Sequence, residues 1–114
     1  MLEWRVYRSD KKIEAEAEVE KIVGEEVPEG YMLEVTHMTI ADATTAAQTL
    51  ELGYVSMTEV DRVICINQTA NLKGLRCMGV IYIQAGESPY GRVTTAVNGD
   101  DIYFSCHGKL WKIS

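Results

Sequence analysis

The stretch from Val27 to Val55, VPEGYMLEVTHMTIADATTAAQTLELGYV, constrains the fold more than any other, because it holds a strand, a connection and a second strand with their punctuation. Pro28-Glu29-Gly30 reads as a turn, since proline fixes φ and glycine permits positive φ. From Tyr31 to Ile40, β-branched and apolar residues alternate with polar ones, the mark of a half-buried strand. The apolar phase slips on the way. Leu33 and Val35 share one register, Met38 and Ile40 the other, which predicts a β-bulge near Thr36-His37. After the small polar connection from Ala41 to Ala46, alternation resumes at Leu50, Leu52 and Tyr54. Two long antiparallel strands are the simplest expectation for this unit.

The same period runs through most of the remaining chain. Leu2, Trp4 and Val6 alternate with Glu3, Arg5 and Tyr7, which suits a short strand or an extended arm over residues 1–12. In KKIEAEAEVEKIV, Ile13, Ala15, Ala17 and Val19 alternate with glutamates over seven positions, while the helical stripe Ala15, Val19, Ile22 has only three. Alternation favours a strand with a solvated glutamate face, despite the helix propensity of Ala and Glu. Val60–Ile66 is apolar on both phases and predicts a strand covered on both sides. Asn67–Asn71 is a polar break. Leu75–Gln84 predicts a long strand whose second face, with Val80 and Tyr82, is partly covered. Ala85–Gly91 reads as a loop and Val93, Thr95 and Val97 as a short strand. Asn98-Gly99 signals a type I′ hairpin. Ile102, Phe104 and Cys106 follow, Gly108 ends that strand, and Leu110–Ile113 supplies the last. About eight short strands with no convincing helix predict one all-β domain over 1–114, an antiparallel β-sandwich with jelly-roll topology preferred.

Charge and cysteine content narrow the partners. The net charge of −6 is concentrated, since Glu14, Glu16, Glu18, Glu20, Glu25, Glu26, Glu29 and Glu34 are eight of the seventeen acids. That field repels phosphate backbones and anionic lipid, so no direct nucleic-acid or membrane partner is expected unless Arg76, Arg92, Lys109 and Lys112 gather on one side. No stretch approaches the roughly 20 apolar residues of a membrane span, and the charged first residues do not resemble a cleaved signal. Three cysteines without a Cys-x-x-Cys pair read as buried free thiols made in a reducing compartment. Zinc held by Cys106-His107 with Cys65 or Cys77 lacks the spacing of such sites.

Catalytic signatures are missing. No Gly-x-Ser-x-Gly elbow accompanies His37 or His107, no glycine-rich phosphate loop occurs, and two isolated histidines cannot supply a cupin metal site. The glutamates suit a solvated face better than a glycosidase pair, and turn formation accounts for Asp100-Asp101. No catalytic residue, cofactor or metal is assigned, and an enzyme is not expected.

With Val27-Pro28-Glu29-Gly30-Tyr31 leading into a long strand, a small Ala/Thr loop, a strand ending near Gly53, and a late Gly99-Asp100-Asp101-Ile102-Tyr103-Phe104 strand, residues 27–108 resemble small β-sandwich virion proteins of tailed bacteriophages. The resemblance implies a non-enzymatic virion component, a capsid decoration (cement) protein or a head or tail attachment subunit. Such a protein would be made in the host cytoplasm and carried on the virion. It implies a symmetric homo-oligomer bound to a capsid or tail protein; a trimer is the first expectation. Independently, long strands with little proline or lysine leave edges for a partner to cover. Trp4, Val6, Tyr7, Tyr90 and Trp111 lie outside the most continuous apolar runs and are the candidate interface residues, unless they complete the core edges of a monomer. The alternative is a carbohydrate-binding sandwich using Tyr82, Tyr90, Tyr103 and Trp111 as ring platforms on one open face.

Overall fold

The computed structural model describes residues 3–45, 49–67 and 74–113. Met1, Leu2, Ala46 and most of the predicted break at 67–71 lie outside them. Among the described residues there are eight strands and no helix: β1 (Trp4–Glu14), β2 (Val19–Val23), β3 (Tyr31–Asp42), β4 (Thr49–Val55), β5 (Asp61–Asn67), β6 (Gly74–Gln84), β7 (Ser88–Thr94) and β8 (Asp101–Lys112). They form two four-stranded sheets, β1-β8-β3-β6 and β2-β7-β4-β5. All pairing is antiparallel: β1 with β8, β2 with β7, β3 with β6 and β4 with β5, with β3·β8 and β4·β7 completing the sheets. First with last, second with next to last, and so on inward is one long hairpin rolled up on itself. That is the jelly roll.

Rolling up explains where local reading departs from the structure. β3 and β4 are not an antiparallel pair; they lie in opposite sheets. Asn98-Gly99 does form a turn, closed by the Asp100 N–H on the Val97 carbonyl at 2.9 Å, but it links β7 and β8 across the two sheets and is not a hairpin. Only Gly99 of its two central residues has positive φ, at 92°, so the turn is not type I′. Gly108 does not end a strand, and β8 runs unbroken through it. A Cβ there would lie 2.0 Å from the Glu34 carbonyl oxygen, so glycine permits the close approach of β3 beside its bulge. The seven-position alternation of 13–19 is split between β1 and β2 by a turn, after which Ile22 points inward and Val19 outward.

The predicted bulge is present. Register shifts between Val35 and His37 against both β6 and β8, and Leu33, Val35, Met38 and Ile40 are all fully buried. They meet Leu50, Leu52, Val93, Ile102 and Phe104 between the sheets, each such side chain contributing about 1.5–3 kcal/mol on burial. Residues 4–12 are no free arm, since β1 pairs with β8 along its whole length. The Tyr7 hydroxyl donates to the Glu25 carbonyl at 2.6 Å and Ser9 Oγ accepts from the Glu25 N–H at 3.1 Å, tying β1 to the β2–β3 connection.

The expectation of three free thiols fails at Cys65 and Cys77, which form a disulfide with Cα atoms 6.2 Å apart. β5 and β6 are edge strands of opposite sheets, so the bond clips the open side of the sandwich. Sequence alone could not pair them, because the partnership depends on how the sheets face each other. Cys106 is a buried free thiol as expected, its pKa pushed up to about 12 by burial. β5 is not covered on both sides either, for Val63 and Ile66 are about half exposed on its outer face.

Candidate interface on the outer face of the first sheet

Strand alternation turns a second set of large side chains away from the core of the first sheet. Across β1, β8, β3 and β6 this outer face carries Trp4, Trp111 and Met32 at one end, then Val6, Lys109, Glu34 and Tyr82, then Arg8, His107 and His37, and toward the other end Lys12 and Tyr103. Val6 is 67% exposed, Val80 61% and Tyr82 53%. The Trp4 and Trp111 rings lie 6.2 Å apart at 49°, and Lys109 Nζ caps them, 4.7 Å from the Trp4 centroid. A shallow depression of about 390 Å³ runs beside them, bounded by Trp4, Val6, Thr36, His107 and Lys109. This grouping of exposed apolar side chains makes the face the candidate interaction surface.

Of the five candidate interface residues, the structure brings Trp4, Val6 and Trp111 together on this face. Tyr7 and Tyr90 do not belong to it, being 5% and 0% exposed. Tyr7 points inward because the phase of β1 is the reverse of what its apolar content suggests: Trp4 and Val6 face out. Tyr90 lies on the outer face of the second sheet against Gly53, under Lys21 and Arg92 at 5.0 and 5.3 Å from its centroid. Its hydroxyl donates to Glu51, and Arg92 bridges Glu51 and Asp61, with Lys21 2.7 Å from Asp61. The Lys21 hydrogen bond, with Arg92 beside it, holds Asp61 below the usual carboxylate range. Arg92 is thereby committed to the second sheet and does not join Lys109 and Arg76 on the first.

No local spacing signals that His37 and His107 meet, because they lie on strands far apart in the chain. They are register partners across β3 and β8, their rings 5.8 Å apart, and His107 Nε2 is 2.8 Å from Asp10 Oδ1 on β1. Asp10 is hydrogen-bonded by both His107 and Ser105, which lowers its pKa. The carboxylate thus stands between serine and histidine, whereas a nucleophilic triad needs the imidazole there.

At one end of the sandwich Asp42, the last residue of β3, and Asp100, just before β8, are both buried. Asp42 Oδ1 accepts the Thr44 and Thr45 N–H groups at 3.0 Å, Asp100 takes the Thr45 hydroxyl and the Val97 N–H, and Asp42 Oδ2 has no hydrogen-bond donor among the described residues. Burial, reinforced by the neighbouring Asp100, raises the Asp42 pKa, whereas Asp100 is lowered. Once protonated in acid, Asp42 can donate from that oxygen to Asp100. A raised folded pKa stabilises below the unfolded value, and that contribution is lost as pH rises through the folded one. Asp42→Asn keeps the acceptor and donates an N–H to Asp100, so it should melt higher than the native chain at neutral pH, the gap closing in acid. Equal melting temperatures at every pH would rule out that donation.

No family model matches the sequence, and no curated protein matches it. Among solved structures, the Drosophila NLP core, described for its pentamer formation and histone binding, is similar at 14% identity over 98% of each chain, with a TM-score of 0.40. Structures of infectious bursal disease virus, strains Gt and Gx, are similar at 10% and 12% identity over 95% and 96% of this chain, with TM-scores of 0.44 and 0.42. The chain spans about a third, 31%, of those viral chains. The jelly-roll assignment rests on this chain's own strand pairing.

Proposed function

We propose that this chain is a non-enzymatic structural subunit that works by assembling with copies of itself, as a capsid decoration or head or tail accessory protein of a tailed-phage virion. The observation that carries the reading is the outer face of the first sheet, where Trp4, Val6, Val80, Tyr82 and Trp111 are presented together on a side that no other described strand covers. A symmetric oligomer, a trimer first, would bury that surface by repeating one contact. The resemblance of residues 27–108 to virion β-sandwiches supplies the phage context.

Light scattering of the purified chain at micromolar concentration tests assembly. A defined oligomer is expected, and Val6→Glu with Tyr82→Glu should dissociate it while changing the stability of the folded chain by no more than about 0.5 kcal/mol per site. A monomeric native chain would end the proposal. The sugar-binding alternative draws on Tyr82, Tyr103 and Trp111 sharing this face, with Tyr90 absent from it. The 49° tilt between the tryptophans and the Lys109 ammonium over Trp4 favour a protein contact over a flat sugar platform.

A further inference from the structure

We infer that His37 and His107 form a two-histidine site for a divalent cation of the zinc, copper or nickel class on the outer face of the first sheet. Among the described residues no group of three or more His, Cys, Asp or Glu side chains is arranged to hold a metal, so the site has two protein ligands and its other positions open to water. The pairing is set by the backbone: the two residues sit directly opposite on neighbouring strands, at the bulge, with rings 5.8 Å apart at 42°. Residues opposite one another on a sheet face converge on the same space above it.

The protonation pattern suits a ligand. Asp10 is an exposed aspartate whose ionised carboxylate can only accept, so the hydrogen of its 2.8 Å contact with His107 belongs to Nε2. In the neutral ring this leaves the lone pair on Nδ1. A carboxylate that fixes the tautomer and orientation of a ligating imidazole is the usual support of such a ligand. The His107 side chain is one-third exposed, so an ion can reach it. The cations nearby are engaged: Arg8 lies 3.5 Å from Asp10, and Lys109 stands over Trp4. Imidazole donors select first-row metals of this class over magnesium or calcium. Both histidines come from one chain, so the pair needs no second copy to form.

Titrating the tag-free chain with zinc chloride by calorimetry at neutral pH tests it, with the imidazole ring protons followed by NMR. Saturable uptake of one ion per chain is expected, with shifts confined to the His37 and His107 rings. His37→Gln and His107→Gln should each remove saturable binding. Asp10→Asn should weaken it by roughly tenfold or more through the orientation of His107, with unchanged melting of the metal-free chain. No saturable uptake by the native chain, or uptake that survives the double His→Gln change, overturns the site; the native-chain NMR reads the same rings should a variant misfold.

Discussion

Truncating Glu51 to alanine is expected to destabilise the fold by about 3 kcal/mol, the lower end of what breaking a buried ion pair costs. Glu51 is 8% exposed and serves two donors, the hydroxyl of the fully buried Tyr90 and the guanidinium of Arg92. Without it both lose their acceptor where water reaches poorly, and only Asp61 still holds Arg92. Tyr90→Phe removes one hydrogen bond and leaves the ion pair, so it should cost nearer 1 kcal/mol. Acid should weaken the same cluster. The folded pKa of Asp61 is depressed, so its contribution is complete above the unfolded carboxylate value of about 3.9 and is lost as pH falls through the folded one. Urea unfolding of the two variants at neutral and acid pH provides the check. A Glu51→Ala loss below that of Tyr90→Phe would mean that water already satisfies the cluster.

Replacing Cys65 and Cys77 by alanine, or reducing their bond, should lower stability by about 3 kcal/mol, the loop-entropy value for a closed segment of this length. The bond spans 12 residues and joins edge strands of the two sheets. Among the described residues no second disulfide ties those edges, so loss of the bond should let the sheets separate there first. Cys106→Ala makes the comparison, because it removes a buried free thiol from the core without touching the clip. Denaturant unfolding with and without reductant should separate the oxidised native chain from the double variant while leaving reduced native protein and the double variant alike. Indifference of the native chain to reductant would show that the two sheets hold that edge without the bond.

Alternation alone was enough to settle that the chain is all-β and to place Leu33, Val35, Met38, Ile40, Ile102 and Phe104 inside, together with the bulge between Val35 and His37. Side chains of one strand take turns on its two faces, so a slip of phase in the sequence must appear as a slip of register in the sheet. Alternation cannot say which of two phases is inward when both are partly apolar, and so Trp4 and Val6 face out from β1 while Tyr7 is buried. Nor can it say which strands are neighbours. Strand pairing in a jelly roll runs from the two ends of the chain toward the middle, and only that long-range pairing set Cys65 against Cys77, placed Tyr90 under Lys21 and Arg92, and brought His37, His107 and Asp10 together on one face. Local chemistry chose the strands and the core. Long-range pairing decided which of the remaining side chains would meet, and therefore where a partner or an ion could bind.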